Sequence, residues 1–394
     1  MIRLVTAGYL DHPSRKSTMN NGRCAFAIMS GLTFLLAAIA PATAQKKSET
    51  PRPQYEFEKI VIPGLTADEP VRKQVSVELA SEYLEKGALA WSKTRKCVTC
   101  HTNGTYMTMR PALTPQLGKP SADIRKFFVE TLASLKTVDH KKMQTGTRPA
   151  QAIYIAAGLA EWDAHVTGKL SPETDDALRF AFGLQQESGT WASLDCWPPF
   201  ESSAYQEATV AAMGSATAPG WLKSLNDDAL KTRIEKMKTY LRTTKPPHDY
   251  ARVLLLWTAT RMPDLIDAKQ KQELIATIWK HQRKDGGWSI RTFVKPTEWG
   301  RGNRAEKLKA EPEFANPSSD GHQTGLAVLV LRDAGVPAND ARIQKAVSWL
   351  KANQRESGRW YTRSLNTDRY HFVAYSGTIY PLVALAKCNA LPAE

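Results

Sequence analysis

Cysteine is scarce in this 394-residue chain, with five in all, and only Cys97 and Cys100 stand close together. No second Cys-x-x-Cys or Cys-x-x-His string accompanies them, which excludes a structural zinc site completed by a second local pair. Beyond residue 44 the sequence has no apolar run long enough to span a bilayer, so a multispan membrane protein is excluded. Basic residues are in excess, with a net charge of +14, yet they are spread rather than gathered into a patch. That distribution suits an anionic membrane surface or an acidic redox partner.

Arg23 precedes an apolar run from Cys24 to Ala40, and Ala42, Thr43 and Ala44 follow as a small-residue cleavage pattern. This order predicts a secretory signal over residues 1–44, with Met19 as an alternative start and cleavage near Ala44. A signal anchor is the competing reading. Export to the periplasm or beyond argues against a nucleic-acid partner, and the mature chain keeps a charge of about +11. It also places Cys97, Cys100, Cys196 and Cys388 where thiols are bridged or covalently occupied. Cys196 and Cys388 are open either to pairing or to burial as free thiols.

Cys97, Cys100 and His101 spell Cys-x-x-Cys-His, the signature of c-type haem attachment. Two thiols add to the haem vinyl groups while the adjacent imidazole reaches the iron. A disulfide between Cys97 and Cys100 is the structural alternative. Nearby, Met107 and Met109 are candidate distal ligands, with core filling as the plainer role. Arg110 is a candidate partner for a haem propionate.

Residues 45–74, rich in Lys, Pro and Glu, read as a linker. The rest, 75–394, reads as helical throughout. Three copies of Gln-x-x-x-Gly-x-Trp occur, at Gln185 to Trp191, Gln282 to Trp288 and Gln354 to Trp360. Each closes an amphipathic stretch whose apolar face recurs four, seven and eight residues before the Gln. Aligning Ala88 to Trp91 with Ala346 to Trp349 puts Cys100 in the Gly slot and Thr102 in the Trp slot, so the haem string replaces the tryptophan string in the first repeat. Amphipathic stretches near 75–93, 121–138, 171–185, 226–243, 266–282 and 339–354 alternate with helices apolar nearly all round. This predicts an all-α (α/α)6 toroid, with outer and inner helix rings around a central pocket. Residues 289–317 form a long polar insertion, either a lid over the mouth or a disordered loop.

With these repeats the sequence resembles the terpenoid cyclase and protein prenyltransferase toroids, and within them squalene cyclase-type repeat proteins. The resemblance implies the toroid and an apolar or isoprenoid-like ligand. The aspartate-rich acid motif of triterpene cyclases has no counterpart. Its nearest string, Glu173 to Asp176, begins an outer helix where carboxylates favour the helix dipole. Because the chain is also one ring long, triterpene cyclisation is not expected. Prenyltransferase resemblance implies a metal site, zinc or iron, from Asp320, His322 and His371, with Asp320 as a helix cap in the alternative. Glu201, after the Trp197-Pro198-Pro199 turn, is a further candidate carboxylate at the ring mouth, with helix capping as the alternative.

The expectation is thus an exported single-haem toroid in electron transfer, or an oxidoreductase acting on an apolar or quinone-like molecule, with a redox protein as partner. The alternatives are a cyclase-like or prenyl-binding toroid without haem, and a non-catalytic binding scaffold.

Overall fold

The computed structural model describes residues 53–195, 197–200, 203–366 and 373–392. Residues 1–52, where the secretory signal is expected, and Cys196, Glu201 and His371 lie outside them. Residues 50–394 form one unit.

Helices alternate in two layers. The outer ones are α1 (Val77–Arg95), α3 (Ala122–Lys136), α5 (Pro172–Gly183), α7 (Asp228–Thr243), α9 (Ala268–Lys280) and α11 (Ala341–Ala352). The inner ones are α2 (Asn103–Met109), α4 (Arg148–Trp162), α6 (Ala204–Thr217), α8 (Asp249–Arg261), α10 (Gly321–Asp333) and α12 (Ser376–Lys387). Inner helices touch in the order α2, α4, α6, α8, α10, α12, and α12 returns to α2, so the ring is closed. Neighbours in it run parallel: Gly321 meets Gly377 and Gly325 meets Pro381, a constant offset. The layers follow from composition. Inner α10 is buried from Gly321 through Leu331, whereas outer α9 buries only Leu274 and Ile278.

The three Gln-to-Trp strings are one device used three times. Each indole donates to a carbonyl in the last turn of the preceding helix: Trp191 to Ala181 at 2.7 Å, Trp288 to Ile278 at 2.8 Å and Trp360 to Leu350 at 2.8 Å. Each glutamine Nε2 donates to the glycine carbonyl of its own turn and also to the next outer segment, at Arg233 (3.0 Å), Arg342 (2.9 Å) and Ser76 (2.8 Å). The third stitch joins the last repeat to the first. The glycines are required by geometry. Gly358 has φ +81°, and a Cβ there would lie 2.5 Å from Leu79 Cβ.

Part of the stretch read as linker is structured. Tyr55–Phe57 and Ile60–Ile62 pair as strands β1 and β2, antiparallel. Tyr55 is buried edge-on against Trp91 and Tyr375. Downstream, Arg72 N donates to Gln354 O at 2.8 Å, and Ser357 N donates to Glu69 at 2.7 Å. Arg359 Nη1 donates to Gln54 Oε1 and Pro63 O. Lys, Pro and Glu suggested a linker, but here they surround a few anchoring side chains that strap the first repeat to the last.

The polar insertion is ordered. Its charges are spent in pairs: Arg291 with Glu311, both largely buried, and Arg301 with Asp195. Arg304 donates to Asn366 Oδ1 at 2.6 Å. The segment therefore reaches from the loop before α6 to the loop before α12, across the N-terminal rim of the inner ring. Trp299 plugs inward against His248 and Tyr250. No helix among the described residues is long and apolar enough to cross a membrane.

Candidate functional site

Two neighbouring features make up the site: the turn between α1 and α2, and a slot along the ring axis. The turn is bracketed by Asn103. Its Oδ1 accepts from Thr99 N at 2.8 Å, and its Nδ2 donates to Cys97 O at 3.1 Å and Ser92 Oγ at 3.0 Å. Lys96 takes the left-handed conformation (φ 50°) that ends α1. Cys97 is half-buried. Cys100 is only 3% exposed and points among inner-ring phenols. Burial first, and the Cys100 thiol next, raise Tyr154 well above the ordinary tyrosine range; burial and Cys100 also raise Tyr380.

His101 is 5% exposed and meets the Trp91 ring edge-on at 4.9 Å. Its Nδ1 lies 3.0 Å from Thr102 Oγ1, which in turn is 3.1 Å from Tyr55 OH. The hairpin thus orients the imidazole through Thr102. Neither Tyr55 nor Asn103 carries a motif, so neither was legible as part of this site.

The other candidates beside the turn have structural roles. Met107 is fully buried on α4, where a Cβ at Gly158 would lie 2.7 Å from Met107 Cβ. Arg110 Nη1 and Nη2 donate to Gly118 O and Leu117 O at 3.0 and 2.9 Å, capping a short helical turn. Met109 lines the slot.

Asp320 and His322 each have polar partners of their own, and the third candidate of the metal set, His371, lies outside the described residues. Asp320 is the N-cap of α10, with Oδ1 accepting from Gln323 N at 2.9 Å and Oδ2 from Ile290 N at 2.8 Å. Burial pushes its carboxyl up to about 6. His322 lies 3.2 Å from Tyr250 OH through Nε2 and 2.8 Å from Ser376 Oγ through Nδ1. Burial drives it down to about 3, so the ring is neutral. Among the described residues no three His, Cys, Asp or Glu side chains gather as a metal set. Glu173, Asp175 and Asp176 pair outward with Arg125, Arg179 and Lys136.

The slot runs between inner helices, walled by Tyr154, Phe200, Val210, Met213, Trp257 and Tyr380. Its cavity volume is about 30 Å³, so it is narrow. At its C-terminal end Glu161 pairs with Arg261, and Arg261 Nη1 donates to Thr217 Oγ1 at 2.7 Å. Burial would raise Glu161, but Arg261 and His165 outweigh it and hold the carboxyl below its usual range. After Trp162 the chain makes a π-helical turn, Asp163–Thr167, that carries His165 back to within 3.2 Å of Glu161 Oε2.

No family model matches the chain, and no curated protein does. Among solved structures, a type II terpene cyclase from Scytonema, in complex with its product merosterolic acid A, is similar over 79% of this chain and 98% of its own. The identity is 14% and the TM-score 0.40. So loose a likeness adds nothing to the site; the ring itself is established by the closed circuit of inner helices.

Proposed function

We propose that this chain is a ring-shaped binder of a slender apolar molecule, isoprenoid-like in cross-section, held along the axis of the inner helices. The observation that carries this reading is the narrow, aromatic-walled slot. Width selects the ligand class: a single chain or small apolar molecule suits the slot, and a broad polycycle does not. Trp257 stands in the wall, so occupancy is readable in its fluorescence. Titrating the protein with decan-1-ol is expected to give a saturable change that is lost in Trp257→Phe, together with a higher unfolding temperature. A flat titration and an unmoved unfolding temperature would reject the reading.

A second reading is favoured by a specific observation, the Thr102 contact to His101 Nδ1. A metal-ligating imidazole is commonly held in this way at its other nitrogen. Cys97, Cys100 and His101 fit the attachment chemistry of haem c, which supplies one-electron chemistry when bound. The axial slot does not fit the macrocycle, so the ring's interior is assigned no step involving it. This reading carries export and a redox partner with it. Pyridine-haemochrome absorbance of protein made in a host that matures cytochromes c tests it: a band lost in Cys97→Ser/Cys100→Ser supports it, and colourless protein ends it.

A further inference from the structure

The slot has two ends, and the fold closes them by different means. At the N-terminal rim the axis is filled by rings: Trp299 meets His248 at 5.2 Å and Tyr250 at 5.5 Å, and Tyr250 stacks on His322 at 5.9 Å. His322 in turn meets Phe200 at 5.9 Å and Tyr380 at 5.1 Å, and both of these are slot wall. Trp299, Tyr250 and His322 are at most 1% exposed, and the insertion that carries Trp299 is pinned by the Arg291–Glu311 pair. Within the wall the Gln206 amide bonds the Tyr154 hydroxyl and ties α6 to α4. This end is packed.

The C-terminal end is held by polar side chains. Glu161, Thr217, Arg261, Asp333 and Lys387 all stand in the last turns of their inner helices. Arg261 reaches from α8 to two neighbours: it pairs with Glu161 of α4 and donates to Thr217 Oγ1 of α6 at 2.7 Å. Its guanidinium also lies over the Trp257 ring, 5.6 Å from the centroid. Trp257 Nε1 donates to Asp333 of α10 at 3.2 Å, and Asp333 pairs with Lys387 of α12 at 2.6 Å. Arg261 lines the slot and its side chain is 24% exposed, so one guanidinium borders both the slot and the solvent.

The two closures differ in what must move to open them. At the N-terminal rim a fully buried indole would have to leave its stack and take an anchored segment with it. At the other end a single arginine has to turn. Its charge is welcome in water, and exposed long side chains change rotamer within nanoseconds. His165 Nε2 stays 3.2 Å from Glu161 Oε2 on the π-helical turn, so the carboxylate keeps a neighbour while Arg261 is away.

We propose that the ligand enters and leaves the slot at its C-terminal end, with Arg261 as the latch. The guanidinium swings from Glu161 and Thr217 into water, and returns behind the bound molecule. This inference rests on the slot being a binding site and adds the route into it.

The test mixes the full chain with decan-1-ol in a stopped-flow instrument and follows Trp257 fluorescence. Arg261→Met keeps an apolar stem and removes the fork; association and release should both quicken about tenfold, a barrier lowered by roughly 1.4 kcal/mol, with little change in Kd. Since that variant leaves a buried carboxylate without its main partner, Glu161→Gln/Arg261→Met supplies a form with no lone charge and should quicken alike. Trp299→Ala should keep the wild-type rates, because Tyr250 and His322 still fill the axis beneath it. Faster exchange in Trp299→Ala than in either Arg261 variant moves the entrance to the insertion and overturns the inference, as do wild-type rates in every variant; the slot itself survives both results. No fluorescence change with the wild-type protein overturns the inference and the slot reading together. Should neither Arg261 variant fold, Trp299→Ala still decides which end opens.

Discussion

The turn at Cys97 to Thr102 and the three tryptophan turns occupy equivalent places in the ring and use their side chains in opposite directions. At 185–191, 282–288 and 354–360, glutamine, glycine and indole are all committed to neighbouring outer helices. At the first turn Lys96, Cys100 and Thr102 stand in the places of glutamine, glycine and tryptophan. Asn103 closes the loop on itself, Cys100 faces the inner phenols, and His101 is steadied by Thr102, which the N-terminal hairpin holds through Tyr55. Three turns share one glutamine, glycine and indole device, and the first uses different side chains.

The comparison breaks most readily at the indoles. Trp360→Ala removes a fully buried ring and the bond that caps Leu350, and should cost about 3–5 kcal/mol in urea unfolding. Cys100→Ala, at the matching turn, should cost no more than about 2 kcal/mol; equal losses would erase the distinction. Asn103→Ala deletes a bracket of three hydrogen bonds and should lose about 2–3 kcal/mol. That places the first turn's stability in Asn103 rather than in its cysteines.

The next effect lies in pH. His322 and His248 are held neutral, at about 3 and about 4, by burial. Their folded values lie below the unfolded one near 6.5, so the unfolded chain binds more protons in between. Stability therefore falls as pH drops from about 6.5 toward 4, by on the order of 1.4 kcal/mol per unit for each histidine. Asp320, raised to about 6, opposes this with stability lost as pH rises from about 4 to 6. His322→Gln should flatten the fall measured by urea unfolding at several pH values; an unchanged slope would show that His322 titrates normally. The smallest effect is Thr102→Val, about 1 kcal/mol in stability, with a shift in the His101 ring-nitrogen resonances seen by NMR.

The ring was legible because each layer writes its burial into composition: Ala346, Val347 and Leu350 repeat a stripe, while Gly325 to Leu331 is apolar on every side. The tryptophan strings were legible because their contacts are local. The strap was not. Tyr55 and Arg359 are 304 positions apart, and nothing near either in sequence announces that they meet the same repeat. Arg110 suggests a haem-propionate partner because it lies beside the Cys-x-x-Cys-His string, and Asp320 a metal ligand through the prenyltransferase resemblance; both also bond backbone groups, which sequence does not display. Glu161 and Gln206 carry no motif at all. Their joint placement depends on the register of α4 against α6, a property of packing rather than of spacing.

Mass spectrometry of the protein purified from its own host without detergent, under native and then denaturing conditions, tests the occupied slot most directly. The account predicts extra mass in the native spectrum that is shed on denaturation, from a small non-covalent guest. Identical polypeptide masses in both spectra would contradict it.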